Sequence, residues 1–270
     1  MRICLLHAAR LLALLAAMLP GVARAEPGLP ILVYHQLRTT EDGPADGPTA
    51  ISLGRFEAQM RTLHEQGYRT LRNEEVVEFI AGRADFPDKV VAIHFDDGWK
   101  SALNALPVLS RYGFNAAFWI IPGKGIGWPH MDWNEVQLIA ADPLREVLSH
   151  TMTHPWQDGD TLPDWVQGRV PGKGPEQVRW ELAESRRLLE EKLGRPVDAL
   201  AWPRGLYDEN LIRLAGDVGY RTLYTIDDGL NRPGQDRLRI RRTMVHGACG
   251  DAMFVRILAD GQYRDCPPGD

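Results

Sequence analysis

Two kinds of apolar run alternate along the chain. The first is short and almost continuously apolar. It occurs at residues 30–34 (Pro-Ile-Leu-Val-Tyr), 90–95 (Val-Val-Ala-Ile-His-Phe), 116–121 (Ala-Ala-Phe-Trp-Ile-Ile) and 146–149, and again at 199–202, 220–226 and 238–245, with a shorter run at 68–71. Runs of this length, bounded by turn residues, read as strands buried on both faces. The second kind has helical period. Ser52 caps a segment whose apolar face carries Phe56, Met60 and Leu63 and which stops at Gly67; Asn73 opens another, with Val76, Val77 and Ile80 inward and Gly82 beyond. A helical region interrupted near Pro107 closes at Gly113. Asp132 and Glu135 form a capping-box pattern, and Pro175 lies near the first turn of a long amphipathic helix that ends at Gly194. This alternation implies parallel strands covered by helices, as a barrel or a doubly wound sheet. No internal repeat or low-complexity linker interrupts it, so one domain is expected. The longest irregular stretches, 39–50 and 155–174, are the expected functional or mobile loops.

Residues 1–25 fall outside this pattern and read as an export signal. Arg2 and Arg10 precede an apolar run at 11–19 that is too short to span a bilayer, and Ala-Arg-Ala at 23–25 is a small-x-small cleavage site. An N-terminal membrane anchor is the alternative. The expected mature domain is 26–270, exported to a periplasm or secreted, with no stable membrane insertion after cleavage. The whole chain carries a formal net charge of −5. The leader holds three Arg and no acidic residue, which leaves 28 basic side chains against 36 acidic ones. That balance argues against nucleic acid or an anionic membrane as the main partner. Cys4 departs with the leader; Cys249 and Cys266 remain as a plausible disulfide in an exported protein, with two free thiols as the alternative.

The chemistry concentrates at two strand ends. Residues 94–98 read His-Phe-Asp-Asp-Gly, so Asp96 and Asp97 leave the 90–95 strand together and Gly98 permits a sharp turn. In α/β barrels functional residues gather at the C-terminal ends of strands. Of two neighbouring carboxylates there, one can bind a metal while the other does acid–base work; a helix N-cap is the structural alternative. His150 and His154 follow the 146–149 strand at i, i+4 spacing, which on a helical turn puts both rings on one face. Alone this pair is moderate evidence. Joined to the Asp pair it offers one carboxylate and two imidazoles, three ligands with a position left for water. Such ligands suit one divalent ion, zinc foremost and also cobalt, nickel or iron.

His-Phe-Asp-Asp-Gly at 94–98 resembles the T-F-D-D-G motif of the NodB-type polysaccharide deacetylases, carbohydrate esterase family 4, and Ser-His-Thr-Met-Thr-His at 149–154 resembles their H-[ST]-x-x-H box. The resemblance extends to Val33-Tyr34-His35, to the F-x-x-Q-M-x-x-L-x-x-x-G-Y pattern from Phe56 to Tyr68, and to Trp202-Pro203-Arg204-Gly205. It is nearest to the subgroup acting on poly-β-1,6-N-acetylglucosamine. The fold it implies is a single distorted (β/α)7-type barrel with permuted strand order. The partner implied is a polysaccharide whose N-acetyl groups are hydrolysed to acetate. Peptidoglycan, chitin oligomers or xylan are alternative substrates, and a non-catalytic sugar-binding barrel is the alternative of another class. By the same resemblance Asp97, His150 and His154 hold the metal, Asp96 is the catalytic base and His35 the catalytic acid.

Some positions depart from the family pattern. His94 stands where Thr is usual. Ala201 stands where an Arg usually steadies the catalytic Asp, which leaves Arg204, Arg241 or Arg242 to serve instead. No clear fourth motif with its Asp and Trp is found. His246 is the rival acid if the commoner strand order holds. Trp128, Trp133, Trp156 and Trp165 lie in or beside loops at the expected rim; Trp156 and Trp165 are candidates to stack on sugar, while Trp119 and Trp202, within strands, are expected to pack.

Overall fold

A computed structural model describes residues 28–42, 47–123, 126–248 and 250–263; the expected leader, Cys249 and Cys266 lie outside the described residues. The elements in chain order are β1 (Ile31–Tyr34), β2 (Gln36–Arg38), β3 (Ala50–Ser52), α1 (Leu53–Glu65), β4 (Arg69–Thr70), α2 (Asn73–Ile80), β5 (Val90–Phe95), α3 (Ala105–Tyr112), β6 (Ala116–Ile120), α4 (Trp133–Ala141), β7 (Arg145–Ser149), β8 (Trp156–Gln157), β9 (Asp160–Thr161), α5 (Leu162–Val166), α6 (Pro175–Leu193), β10 (Ala199–Ala201), α7 (Glu209–Val218), β11 (Thr222–Tyr224), β12 (Thr243–Met244) and α8 (Asp251–Asp260).

The main sheet runs β11-β10-β7-β6-β5-β1-β12, with β4 paired beside β5, and its pairings are parallel. The segment around β12 brings the two edges together. Thr243 pairs with Leu32 of β1, while Ile240, three residues earlier, bridges Tyr224 of β11. The result is the distorted (β/α)7 barrel with helices around it. The closing segment is short: the continuous strand expected over 238–245 is reduced to a bridge at Ile240 and the pairs at Thr243–Met244.

Period-two alternation divides each strand between two cores. Ile31, Val90, Ala92, Ala117, Trp119, Leu148, Ala199, Ala201, Tyr224 and Ile240 share one cluster inside the ring. Leu32, Tyr34, Val91, Ile93, Phe95, Phe118 and Val147 face the other way, against α1, α3 and α4. Leu200 and Trp202 join the layer under α5, α6 and α7. The inner parity of β5 continues through His94 to Asp96, so the first carboxylate is aimed into the mouth of the ring by the strand itself.

Local signals behave as their chemistry dictates. Ser52 accepts the Arg55 N–H at 3.2 Å, and Asp132 and Glu135 close their capping box. Asn73 is the first residue of α2 rather than its cap: its side chain accepts the Tyr224 hydroxyl at 2.6 Å and its N–H donates to Glu146 at 2.7 Å, so it is used across the barrel floor.

Barrel closure is stapled by Asn231, fully buried. Its amide donates to the Arg241 carbonyl at 2.9 Å and the Leu29 carbonyl at 3.2 Å, and its oxygen accepts the Arg241 N–H at 2.9 Å. Replacing Asn231→Ala removes the side-chain partner of the Arg241 carbonyl and N–H, while the Leu29 carbonyl keeps the Asn231 main-chain N–H at 3.0 Å. Each group left without its partner costs about 1–3 kcal/mol, so urea unfolding of this variant is expected to show a loss of at least that size; an unchanged midpoint would remove Asn231 from the closure.

Candidate active site

The strand geometry ends between the two carboxylates. Asp96 keeps the pairing, its N–H donating to the Tyr34 carbonyl at 2.9 Å. Asp97 and Gly98 both adopt φ of 69°, and the chain turns off the sheet. A left-handed Asp costs backbone strain, of order 1–3 kcal/mol, that persists only where surroundings enforce it. Here Trp99 Nε1 donates to Asp97 Oδ2 at 3.0 Å, which leaves Oδ1 facing the imidazoles.

His150 ends β7, with its N–H on the Ile120 carbonyl at 2.9 Å. Its Nδ1 lies 2.8 Å from the Ala201 carbonyl. In the neutral ring that contact puts the proton on Nδ1 and turns Nε2 toward the site, the usual orientation of a metal-binding imidazole. Burial disfavours charge on His150, but Asp96 and Asp97 outweigh it and raise the ring above its ordinary value, so a metal bound at Nε2 would displace a proton. His154 does not reach the same place by a helical turn. Residues 151–154 form a loop in which Thr151 and His154 adopt left-handed φ of 65° and 51°. Two such residues bring the rings to 4.6 Å between centroids. The i, i+4 spacing is therefore serviceable for a reason other than helix periodicity.

Asp97 Oδ1 lies 3.4 Å from His150 Nε2 and 3.5 Å from His154 Nε2. Asp97, His150 and His154 are a group whose ligand atoms all lie within 4.8 Å of one another. One carboxylate oxygen and two outward-held imidazole nitrogens fit a divalent cation with an open position. Burial works against the charge on Asp97, but hydrogen bonding to His150 and the nearby histidines outweigh it and hold the carboxyl well below its usual range. Burial, reinforced by His150, pushes His154 down to about 4, so it is neutral as a ligand must be.

Asp96 has a different environment. Arg242, fully buried, grips it fork to fork: Nη1 to Oδ1 at 2.8 Å and Nη2 to Oδ2 at 2.9 Å. The third guanidinium nitrogen, Nε, donates to the Thr225 carbonyl at 2.9 Å, and Trp119 lies under the group at 5.4 Å. Burial raises the Asp96 carboxyl, Arg242 and His150 lower it, and the net effect is downward. Among the three arginines considered for the place of the missing one, Arg242 touches Asp96. Arg241 donates to the Asp228 carbonyl, and Arg204 to the Trp156 carbonyl and Asp158.

These groups line a cleft of about 1010 Å³, with His35, Trp99, His130, Trp156, Trp202, Arg204 and Met244 among its walls. His35 follows β1 and is near enough for its charge to lower both carboxyls. His246 stacks on Tyr263 at 4.0 Å, and Met244 rather than His246 lines the cleft. Trp156 is 56% exposed on the cleft wall. Trp165, expected at the rim, is instead buried under α5, where its Nε1 donates to Asp160 and Lys173 covers its ring at 4.0 Å. The turn carrying it is amphipathic, and the indole is its apolar side. Trp119 packs inside the ring as expected, while Trp202 packs and also borders the cleft. Trp99 and His130, stacked at 4.4 Å, escaped the sequence reading; the only signal was the proximity of Trp99 to Asp97.

The polysaccharide deacetylase family model matches residues 83–223. The YxkH protein of Bacillus subtilis (strain 168), itself named as a polysaccharide deacetylase, is 29% identical over 227 residues, covering 84% of this chain and 74% of that one. The poly-β-1,6-N-acetyl-D-glucosamine N-deacetylase of Escherichia coli (strain K12) is 22% identical over 240 residues; the match covers 77% of this chain but only 35% of that longer protein. Among solved structures, IcaB from Ammonifex degensii superposes with a TM-score of 0.72 at 26% identity, over 86% of this chain and 96% of that one.

Removing one partner of a buried ion pair strands the other, at about 3–5 kcal/mol. Arg242→Met is expected to lose that much at neutral pH in urea unfolding. The Asp96 carboxyl is lowered on folding, so the pair's contribution is present above the unfolded carboxylate range and is lost as pH falls through the folded value. The gap between Arg242→Met and the parent should therefore narrow below about pH 4; a gap that is constant with pH would mean that the charge pair is not its source.

Proposed function

Because this chain belongs to the polysaccharide deacetylase family, we propose that it is an exported, metal-dependent N-deacetylase of poly-β-1,6-N-acetylglucosamine, working in the periplasm or outside the cell. The observation that carries the metal-dependent part is the convergence of Asp97, His150 and His154 beside an Asp96 that is held ionised. The substrate is inferred from likeness to the Escherichia coli enzyme and to IcaB. Export is inferred from residues 1–25. Among the described residues no helix is long and apolar enough to cross a membrane.

A divalent cation on Asp97, His150 and His154 would supply Lewis-acid polarisation of the acetamide carbonyl and a more acidic water. The chain's own groups do the proton work. Asp96, ionised beside Arg242, accepts the proton of the attacking water. The amide nitrogen cannot depart as an anion, so an acid must protonate it as the C–N bond breaks. We assign that proton to His35, a reading supported by its position on the cleft wall. Acetate and a free glucosamine amine leave. Trp156 offers an indole face to a sugar ring, and Arg204 holds the Trp156 backbone in place.

The test is acetate release from acetylated β-1,6-linked glucosamine oligomers, beside chitin oligomers, peptidoglycan and acetylated xylan. Turnover on the first, abolished by chelator and restored by zinc, is expected; turnover confined to another glycan overturns the substrate, and turnover indifferent to chelation overturns the metal.

The two carboxylates should separate by variant. Asp97→Asn is expected to lower metal content, whereas Asp96→Asn keeps the metal and loses about 10²–10⁴-fold in turnover, the usual cost of a general base. An empty site in Asp96→Asn would reverse the roles.

His35 and His246 are separated in the same way. His35→Ala should depress kcat, with metal content intact and the alkaline limb of the pH–rate profile removed. His246→Ala should resemble the parent. The opposite pattern moves the acid to His246.

A further inference from the structure

Glu181 lies in the middle of α6, on a helix whose exposed face is rich in charge, yet it is only 1% exposed. Its carboxylate makes no ion pair among those found for the described residues. It accepts the Thr153 N–H at 2.7 Å and the Thr153 hydroxyl on its other oxygen, and the Met152 N–H also acts on it. Thr153 is the residue before His154, inside the loop that joins the two histidines of the site. On its other side the same loop is pinned by Gly123, whose N–H donates to the Met152 carbonyl at 2.9 Å. A Cβ at position 123 would fall 2.5 Å from that carbonyl oxygen, so the approach is as close as a backbone permits.

A buried carboxylate that faces main-chain N–H groups is expensive to place unless the segment it binds must not move. The segment here has two left-handed non-glycine residues, Thr151 and His154. Relaxing either one would swing the His154 ring away from Asp97. We propose that Glu181 is a positioning residue for the metal site: it clamps the 151–154 loop in its strained form, and so sets the affinity for the divalent cation without touching it. The inference rests on the reading of Asp97, His150 and His154 as metal ligands. The acid arrives from a helix that supplies no ligand, 28 residues beyond the loop.

The experiment is zinc titration against a competing chelator, with the melting temperature of the metal-free protein measured in parallel. Removing an outer partner of a metal ligand commonly costs about 10–100-fold in affinity, and Glu181→Ala is expected to fall in that range. Glu181→Gln keeps an acceptor for the Thr153 N–H and a polar partner for its hydroxyl, and is expected to bind zinc nearly as the parent does. Thr153→Ala loses the hydroxyl bond alone and should fall between them; it stands in for Glu181→Ala if that variant does not fold. Parent-like zinc affinity in folded Glu181→Ala, or in Thr153→Ala in its stead, overturns the proposal even if the melting temperature drops, because Glu181 would then serve the core alone. Equal losses in Glu181→Gln and Glu181→Ala overturn the clamp as well, since they would make the charge rather than the loop geometry responsible. Failure of the parent to release acetate, with this zinc series intact, would refute the deacetylase reading and leave the clamp standing.

Discussion

The pair between Arg242 and Asp96 is the contact on which the site depends. It joins the segment that closes the barrel to the strand that delivers the carboxylates, and both partners are out of solvent. Such a pair repays its desolvation only with good geometry and with every remaining donor used. The geometry is good and each guanidinium nitrogen has an acceptor: two parallel bonds to Asp96, Nε on Thr225, and an aromatic face beneath. Room for a guanidinium inside a seven-strand ring comes from small neighbours. Ala92, Ala117, Ala199 and Ala201 line the interior, so that Trp119, Tyr224, His94 and Arg242 can fill it. His94 sits against Trp119 and Tyr224, and burial together with the Arg242 charge holds it neutral. A second cation there would compete with Arg242 for Asp96. Closing the barrel and holding Asp96 ionised are in this way one event.

Much of this could be read along the chain, and what could not has a common cause. The 90–95 strand and its Asp-Asp-Gly end were legible because a continuous apolar run has few other uses, and the capping pattern at Asp132 because it is local. The H-x3-H spacing marks two residues that the structure does bring together, by a geometry other than the helical turn it suggests: a loop with two left-handed residues places the same pair of rings side by side. Arg242 was one of three candidates, because its partner lies 146 residues away and no local pattern marks a pairing formed by barrel closure. Glu181 was invisible for the opposite reason, since an acid in an amphipathic helix reads as surface until the loop beneath it is seen. Trp165 shows the converse: an indole near a loop looked available, and its own short helix covered it.

The adjacent carboxylates meet different surroundings because the backbone changes character between them. On a regular strand neighbouring side chains face opposite sides. Had β5 simply continued, Asp96 would point into the mouth of the ring and Asp97 into the helical layer outside it. The φ of 69° at Asp97 prevents that and turns the second carboxylate back over the cleft. Each then meets what its direction allows. Asp96, inward, finds Arg242; both its oxygens accept charged donors, which occupies them against a cation and keeps the carboxyl ionised while lowering its affinity for a proton. Asp97, turned over the cleft, gives one oxygen to Trp99 and keeps the other for the imidazoles. Exchanging the two environments would require Arg242 to release Asp96, leaving a guanidinium unpaired in a ring lined by alanine and aromatic rings. The cost of that stranded charge is what keeps the surroundings of residues 96 and 97 distinct.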